Sequence, residues 1–181
     1  MSFAFTRTAI PDVIVCERKV FRDSRGIFSE LYRRQDYCAG GIDCEFVQDN
    51  HSRSVKGVLR GLHYQLRHPQ AKLVTVVSGA VYDVAVDIRR GSPTFSKWVG
   101  VELSEDNGRE LYMPAGFAHG FCVLSERVEM IYRCTDYYRP DDDRGILWSD
   151  PDVGVKWPVV DPILSERDRN LPTLALSLGS D

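Results

Sequence analysis

Apolar and polar positions alternate with a period of two through much of this chain. The runs are short and rich in Val, Ile, Phe and Tyr, as strands are and helices are not. The pattern predicts strands near 13–21, 27–33, 45–52, 57–64, 72–78, 80–88, 97–103, 109–113, 117–124 and 127–134. Turn residues separate them, among them Ser78-Gly79, Arg90-Gly-Ser-Pro93, Glu105-Asp-Asn-Gly108 and Ser125-Glu126. That spacing argues for an all-β sandwich or barrel with few short helices. One helical turn is expected at Arg34 to Ala39, ahead of Gly40-Gly41. Another is expected after Ser165, where Ser165-x-x-Asp168 makes a weak capping box. Residues 172–181 read as loop or frayed end. No repeat or linker divides the chain, so residues 1–181 read as one domain with its core at about 8–171.

Successive strand side chains point to opposite faces, so the alternation also says which polar residues share a face with apolar ones. Over 117–123, His119 lies with Phe117, Phe121 and Val123. Over 127–134, Tyr132 lies with Val128, Met130 and Cys134. Over 27–33, Glu30 falls between Phe28 and Tyr32. Gln48, Asn50 and Ser52 share a face with Phe46, and Asp83 and Asp87 lie with Val81 and Ala85. A single His or Tyr on an apolar face is usually a satisfied core residue. Several on different strands of one barrel, each costing a few kcal/mol if buried without a partner, point to a barrel lined with polar groups and so to a ligand cavity.

Composition narrows the ligand. Apolar residues make up 43% and charged residues 27%, and the net charge is −3. No Lys/Arg block stands out, so nucleic-acid binding has no electrostatic footprint. An anionic ligand would have to be held by a few arginines inside a pocket. The first eleven residues lack the charged start and apolar core of a secretory signal. The longest apolar-rich stretch, Leu73 to Ile88, is broken by Asp83 and Asp87 and is no membrane span. Five cysteines, Cys16, Cys38, Cys44, Cys122 and Cys134, show no Cys-x-x-Cys spacing. They read as reduced, buried thiols in a cytoplasmic protein.

Met113-Pro-Ala-Gly-Phe-Ala-His-Gly-Phe121 contains Pro-x-Gly-x-x-His and resembles the second motif of the cupins, small jelly-roll barrels (double-stranded β-helices). Metal-binding cupins usually carry His-x-His and a following Glu in their first motif. Here the matching stretch is Gly61-Leu-His-Tyr-Gln-Leu-Arg-His68, with histidines five apart and no Glu where a ligand is wanted. Imidazoles at that spacing on a strand face opposite sides, so no metal is expected, and His68 and His51 read as surface or loop residues.

Six ordered segments resemble the dTDP-4-dehydrorhamnose 3,5-epimerase family. They are Asp23-Ser-Arg-Gly-Ile-Phe-Ser-Glu30, Phe46-Val-Gln-Asp-Asn-His51, Val58-Leu-Arg-Gly-Leu-His-Tyr-Gln65, Asp83-Val-Ala-Val-Asp-Ile-Arg89, Pro114-Ala-Gly-Phe-Ala-His-Gly-Phe121 and Leu164-Ser-Glu-Arg-Asp168. The likeness runs from about Thr8 to about Leu171. It implies that His63 is a general base supported by Asp168, that Tyr132 is the acid on the other face of the sugar, and that Lys72 and His119 lie near the sugar and its ketone. It implies substrate contacts at Arg25, Glu30, Gln48, Asp49, Asn50, Arg60, Asp143 and Arg167, and stacking of Tyr138 on thymine. Asp143 stands where the family usually has Glu, and Arg167 where Lys is common. The resemblance further implies a dTDP-sugar substrate, no cofactor, and a homodimer whose N-terminal strand joins the partner's sheet. The chemistry agrees: a proton beside a ketone needs a base near neutral pKa and a cation at the enolate oxygen, and a pyrophosphate needs arginines.

Taken singly, Lys72 reads as a strand start, Asp168 as a helix cap, Arg25 as a turn residue and Tyr138 as packing. Two rival functions fit the same motifs: an epimerase acting at one carbon only, and a non-catalytic cupin that binds sugar nucleotides. One geometric condition is specific. His63 and Arg60 are three apart and share a site only if the strand is irregular around Gly61.

Overall fold

A computed structural model describes residues 3–179. Its strands are β1 (Phe3–Arg7), β2 (Ile14–Arg18), β3 (Val20–Asp23), β4 (Gly26–Ser29), β5 (Gln48–Val55), β6 (Leu59–Gln65), β7 (Lys72–Ser78), β8 (Ala80–Asp87), β9 (Trp98–Ser104), β10 (Arg109–Met113), β11 (Phe117–Val123), β12 (Arg127–Cys134) and β13 (Asp143–Gly145). Helices α1 (Arg34–Ala39), α2 (Glu166–Arg169) and α3 (Leu174–Leu178) are short. One sheet runs β1-β2-β10-β7-β12-β5 and the other β13-β6-β11-β8-β9, while β3 and β4 form a separate hairpin. Two facing antiparallel sheets of this kind make the expected cupin-type jelly roll.

The expected inward faces meet between the sheets. Val74, Val76, Leu111, Met113, Val128 and Met130 from the six-stranded sheet pack on Val81, Ala85, Phe117, Phe121 and Val123 from the other. A second cluster covers the outer face of the five-stranded sheet, where Leu62, Val84, Val86 and Ala118 meet Ile146, Val153 and Leu174. β8 and β11 are therefore covered on both faces, which explains their nearly continuous apolar runs. On the outside of the six-stranded sheet, α1 docks Tyr37 edge-on against Phe3 and Phe5, with ring centroids 5.0 and 5.2 Å away. The Tyr37 hydroxyl donates to the buried Glu110 carboxylate.

Several expectations need correction. The run 13–21 is two strands broken at Lys19, because β2 belongs to the main sheet and β3 turns away into the hairpin. The strand expected over 27–33 ends at Ser29, so Phe28, Glu30 and Tyr32 share no face. Phe28 is exposed, Glu30 pairs with Arg33, and Tyr32 packs on Tyr37 and Phe46. β1 is not among them: it pairs with β2 of its own chain from Phe3↔Arg18 to Arg7↔Ile14 and stands at the edge of that sheet, which leaves its outer side for the expected pairing with a partner's sheet. Cys38 and Cys44 are only half-buried, although Cys16, Cys122 and Cys134 are buried as expected.

The segment after 172 is not loose where it is described. Leu174 is buried, its backbone N–H donates to Asp150 Oδ2 at 2.6 Å, and the Ser177 hydroxyl lies 2.7 Å from that of Tyr64. The run is too short to read as a helix by periodicity, and its partners are distant in sequence. Leu174→Ala should destabilise the protein by about 2–4 kcal/mol, the scale of a buried leucine truncation. A chemical denaturation midpoint unchanged from wild type would show that this segment does not belong to the core.

Candidate active site

A cavity of about 380 Å³ opens between the sheets, lined from both of them. β6 supplies Arg60, His63 and Gln65, and β11 supplies His119 and Phe121. From the facing sheet, β5 supplies Gln48, Asn50 and Ser52, β7 supplies Lys72, and β12 supplies Tyr132 and Cys134. Asp143, at the start of the edge strand β13, lines it together with Tyr138 and with Arg167 of α2.

β6 has the irregularity that Arg60 and His63 require. His63 pairs with His119 and Arg60 with Phe121, so three steps along β6 match two along β11. The extra residue is accommodated at Gly61, whose φ of +119° disfavours any L side chain. A Cβ there would lie 2.6 Å from Gly120 Cα and 2.7 Å from the His119 carbonyl oxygen. Leu62 turns into the outer core, and Arg60 and His63 both face the cavity. The Arg60 guanidinium donates to Ser54 Oγ at 3.1 and 3.2 Å.

His63 Nε2 lies 2.5 Å from Asp168 Oδ1. The Ser165 half of the expected capping box places that carboxylate: Ser165 is the N-cap of α2, and its Oγ accepts from the Asp168 backbone N–H at 3.0 Å, while the carboxylate itself turns to His63. Burial pushes the Asp168 carboxyl up, but the His63 hydrogen bond and charge, with Ser165 and the Gly61 backbone, hold it below its ordinary value. The aspartate is thus an anion beside the imidazole, able to fix the ring's orientation and tautomer.

Tyr132 comes from the opposite wall. Burial, with Cys134 and Asp143 adding and Arg60 opposing, raises its pKa, so the phenol keeps its proton at neutral pH. Lys72 is buried, and its ammonium makes no hydrogen bond among the described residues. Burial lowers its pKa, against the pull of Cys134 and Asp143. His119 Nε2 contacts Asp83 Oδ2 at 2.9 Å. At the rim, Asp143 Oδ2 accepts from the Tyr138 hydroxyl at 3.0 Å and from Arg167 Nη1 at 2.6 Å. The shorter Asp143 therefore reaches both neighbours. Gln48 Oε1 accepts from the Tyr138 backbone N–H at 2.9 Å, and its amide donates to Asn50 at 3.0 Å.

Three expected residues fall elsewhere. Asp49 alternates to the other face of β5 and lies 3.5 Å from Arg133. Arg25 sits at the exposed tip of the β3–β4 hairpin, paired with Asp23, and Glu30 pairs with Arg33 beyond that hairpin. Other lining residues carry little signal in the sequence. Gln65 Oε1 accepts from the Arg139 backbone N–H at 2.6 Å, and its amide donates to Tyr137 O at 3.3 Å, so it braces the loop that carries Tyr138. Its place at the end of the Arg-Gly-Leu-His-Tyr-Gln motif is the only pointer to it. Among the described residues, no group of three or more His, Cys, Asp or Glu is arranged to hold a metal ion.

The family model for dTDP-4-dehydrorhamnose 3,5-epimerase matches residues 7–175. The chain belongs to that family. The dTDP-4-dehydrorhamnose 3,5-epimerase of Pseudomonas aeruginosa is 57% identical over 166 residues, 91% of this chain and 92% of that protein. The dTDP-6-deoxy-D-glucose-3,5-epimerase of Legionella pneumophila, solved in complex with dTDP-4-keto-L-rhamnose, is 48% identical with a TM-score of 0.92 and covers 96% of this chain and 94% of its own. A 3'-monoepimerase from Streptomyces bikiniensis, solved with dTDP-quinovose, is 36% identical with a TM-score of 0.87 over 96% of this chain and 90% of its own. In this epimerase family member, Gly61→Ala should push β6 off β11 and separate His63 from Asp168. The variant should lose binding of a dTDP-sugar by calorimetry, or fail to fold; wild-type binding would show that the cavity does not need the irregularity.

Proposed function

We propose that the chain inverts C3 and C5 of dTDP-4-dehydro-6-deoxy-D-glucose to give dTDP-4-dehydro-L-rhamnose, the precursor form of a rhamnosyl donor. The observation that carries this reading is the placement of His63 and Tyr132 on facing sheets across one cavity, with Lys72 on the same wall as Tyr132. The C4 ketone acidifies both neighbouring carbons, so one base and one acid serve both, and the reaction calls on no cofactor. His63 takes the carbon-bound proton while Asp168 stabilises the imidazolium that forms. Electron density moves onto the ketone oxygen, where the Lys72 ammonium balances the enolate. The Tyr132 phenol returns a proton to the opposite face of the same carbon. Solvent then reprotonates Tyr132 and takes the proton from His63, so each inversion leaves one solvent proton on carbon.

The nucleotide extends toward the rim. Arg60 and Arg167 meet the pyrophosphate, and Tyr138, with its ring half-exposed, stacks on thymine. Gln48, Asn50, His119 and Asp143 complete the contacts. Arg25 and Glu30 lie away from their own chain's cavity, so they serve the ligand through a homodimer in which one copy's hairpin approaches the other's site. The exposed Phe21, Ile27 and Phe28 of that hairpin support such a contact. The five free cysteines fit a reducing compartment, the cytoplasm.

The monoepimerase relative makes inversion at a single carbon the specific alternative. Turnover in deuterated water, read by NMR, separates the two: label at both C3 and C5 is expected, and label at only one position would overturn the double inversion. His63→Ala should slow exchange by roughly 10²–10⁴-fold, the scale of a general base, while dTDP still binds. Undiminished exchange in that variant would remove His63 from the chemistry.

A further inference from the structure

We propose that Asp83 is a positioning residue of this site: it holds His119 with Nε2 protonated, so that Nδ1 is left as an acceptor for a hydroxyl of the sugar. The inference rests on the epimerase reading above.

β8 and β11 are antiparallel neighbours, and their register sets Ala85 opposite His119 and Asp83 opposite Phe121. Asp83 thus reaches His119 diagonally, with Oδ2 at 2.9 Å from Nε2. Asp83 is fully buried and His119 is 8% exposed, at the cavity wall. The aspartate points inward between Val81 and Ala85, both members of the inter-sheet core. Its second oxygen, Oδ1, has no hydrogen-bond partner among the described residues. An apolar side chain would fill that place at lower cost, since a desolvated, half-satisfied carboxylate is expensive. Burial pushes the Asp83 carboxyl up, and His119 is the neighbour that opposes this.

With Asp83 held as a carboxylate by this contact, Oδ2 accepts and Nε2 donates, which leaves the lone pair of the ring on Nδ1. The charged and titratable groups packed around His119 are Asp83 on β8, His63 on β6, Tyr132 on β12 and Lys72 on β7. Lys72 and Tyr132 are donors, and the His63 ring is committed to Asp168. A hexose ring carries hydroxyls as well as the ketone, and these need acceptors. His119 Nδ1 supplies one on the wall opposite Lys72.

The chain has four histidines, so each imidazole can be assigned by substitution and followed by ¹⁵N NMR in the full-length enzyme. The wild-type spectrum at neutral pH should show His119 as the neutral Nε2–H tautomer. In Asp83→Asn the amide can offer its own N–H to Nε2, so His119 should move toward the Nδ1–H tautomer. Its kcat/KM for deuterium exchange should then fall by roughly 10–100-fold, the scale of outer-shell partners, with dTDP binding unchanged. A wild-type His119 protonated on Nδ1 would overturn the proposal, as would wild-type exchange by Asp83→Asn. If Asp83→Asn does not fold, the wild-type tautomer alone decides. A wild-type enzyme that shows the expected tautomer but no exchange would reject the epimerase reading and leave the Asp83–His119 pairing standing.

Discussion

The hydrogen bond between His63 and Asp168 joins two residues 105 positions apart, and much of the site's architecture can be traced to making it. The histidine reaches the cavity because β6 carries an extra residue at Gly61. The aspartate reaches the histidine because Ser165 caps α2 and fixes its first turn. The C-terminal segment that follows α2 is in turn fixed on β6, through Leu174 in the outer core and Ser177 against Tyr64. A serine N-cap and a bulge, each ordinary alone, converge on one 2.5 Å contact.

The two-sheet architecture sets the second constraint. A proton can be taken from one face of a sugar and returned to the other only if base and acid face each other, and a jelly roll offers two walls for that purpose. His63 stands on one sheet, Tyr132 and Lys72 on the other. Placing polar groups in this interior costs free energy wherever a partner is missing, about 1–3 kcal/mol for each unsatisfied group. Most of that cost is met locally: Asp168 by His63, His119 by Asp83, Arg60 by Ser54. Among the described residues Lys72 finds no hydrogen-bond acceptor, as suits a cation that waits for an enolate oxygen.

Period-two alternation made the walls legible. It placed Tyr132 and His119 on inward faces and Gln48 with Asn50, and the same rule, applied strictly, would have put Asp49 outside. The spacing of Arg60 and His63 alone demanded an irregularity near Gly61. What escaped depended on contacts far apart in sequence. Gln65 braces a loop more than seventy residues away, and Leu174 finds its core through Asp150 and Tyr64. Among the described residues the two strands of the hairpin that carries Arg25 pair only with each other, so no pattern in its own residues says which cavity it approaches.

The central claim is that Asp168 acts through His63. A double-mutant cycle on solvent-deuterium exchange, with His63→Ala, Asp168→Asn and the pair, tests it most directly. Asp168→Asn is predicted to be severely impaired alone, yet to add no further loss once His63 is alanine. Losses that multiply, with the double variant slower than His63→Ala by the full factor seen for Asp168→Asn, would contradict it.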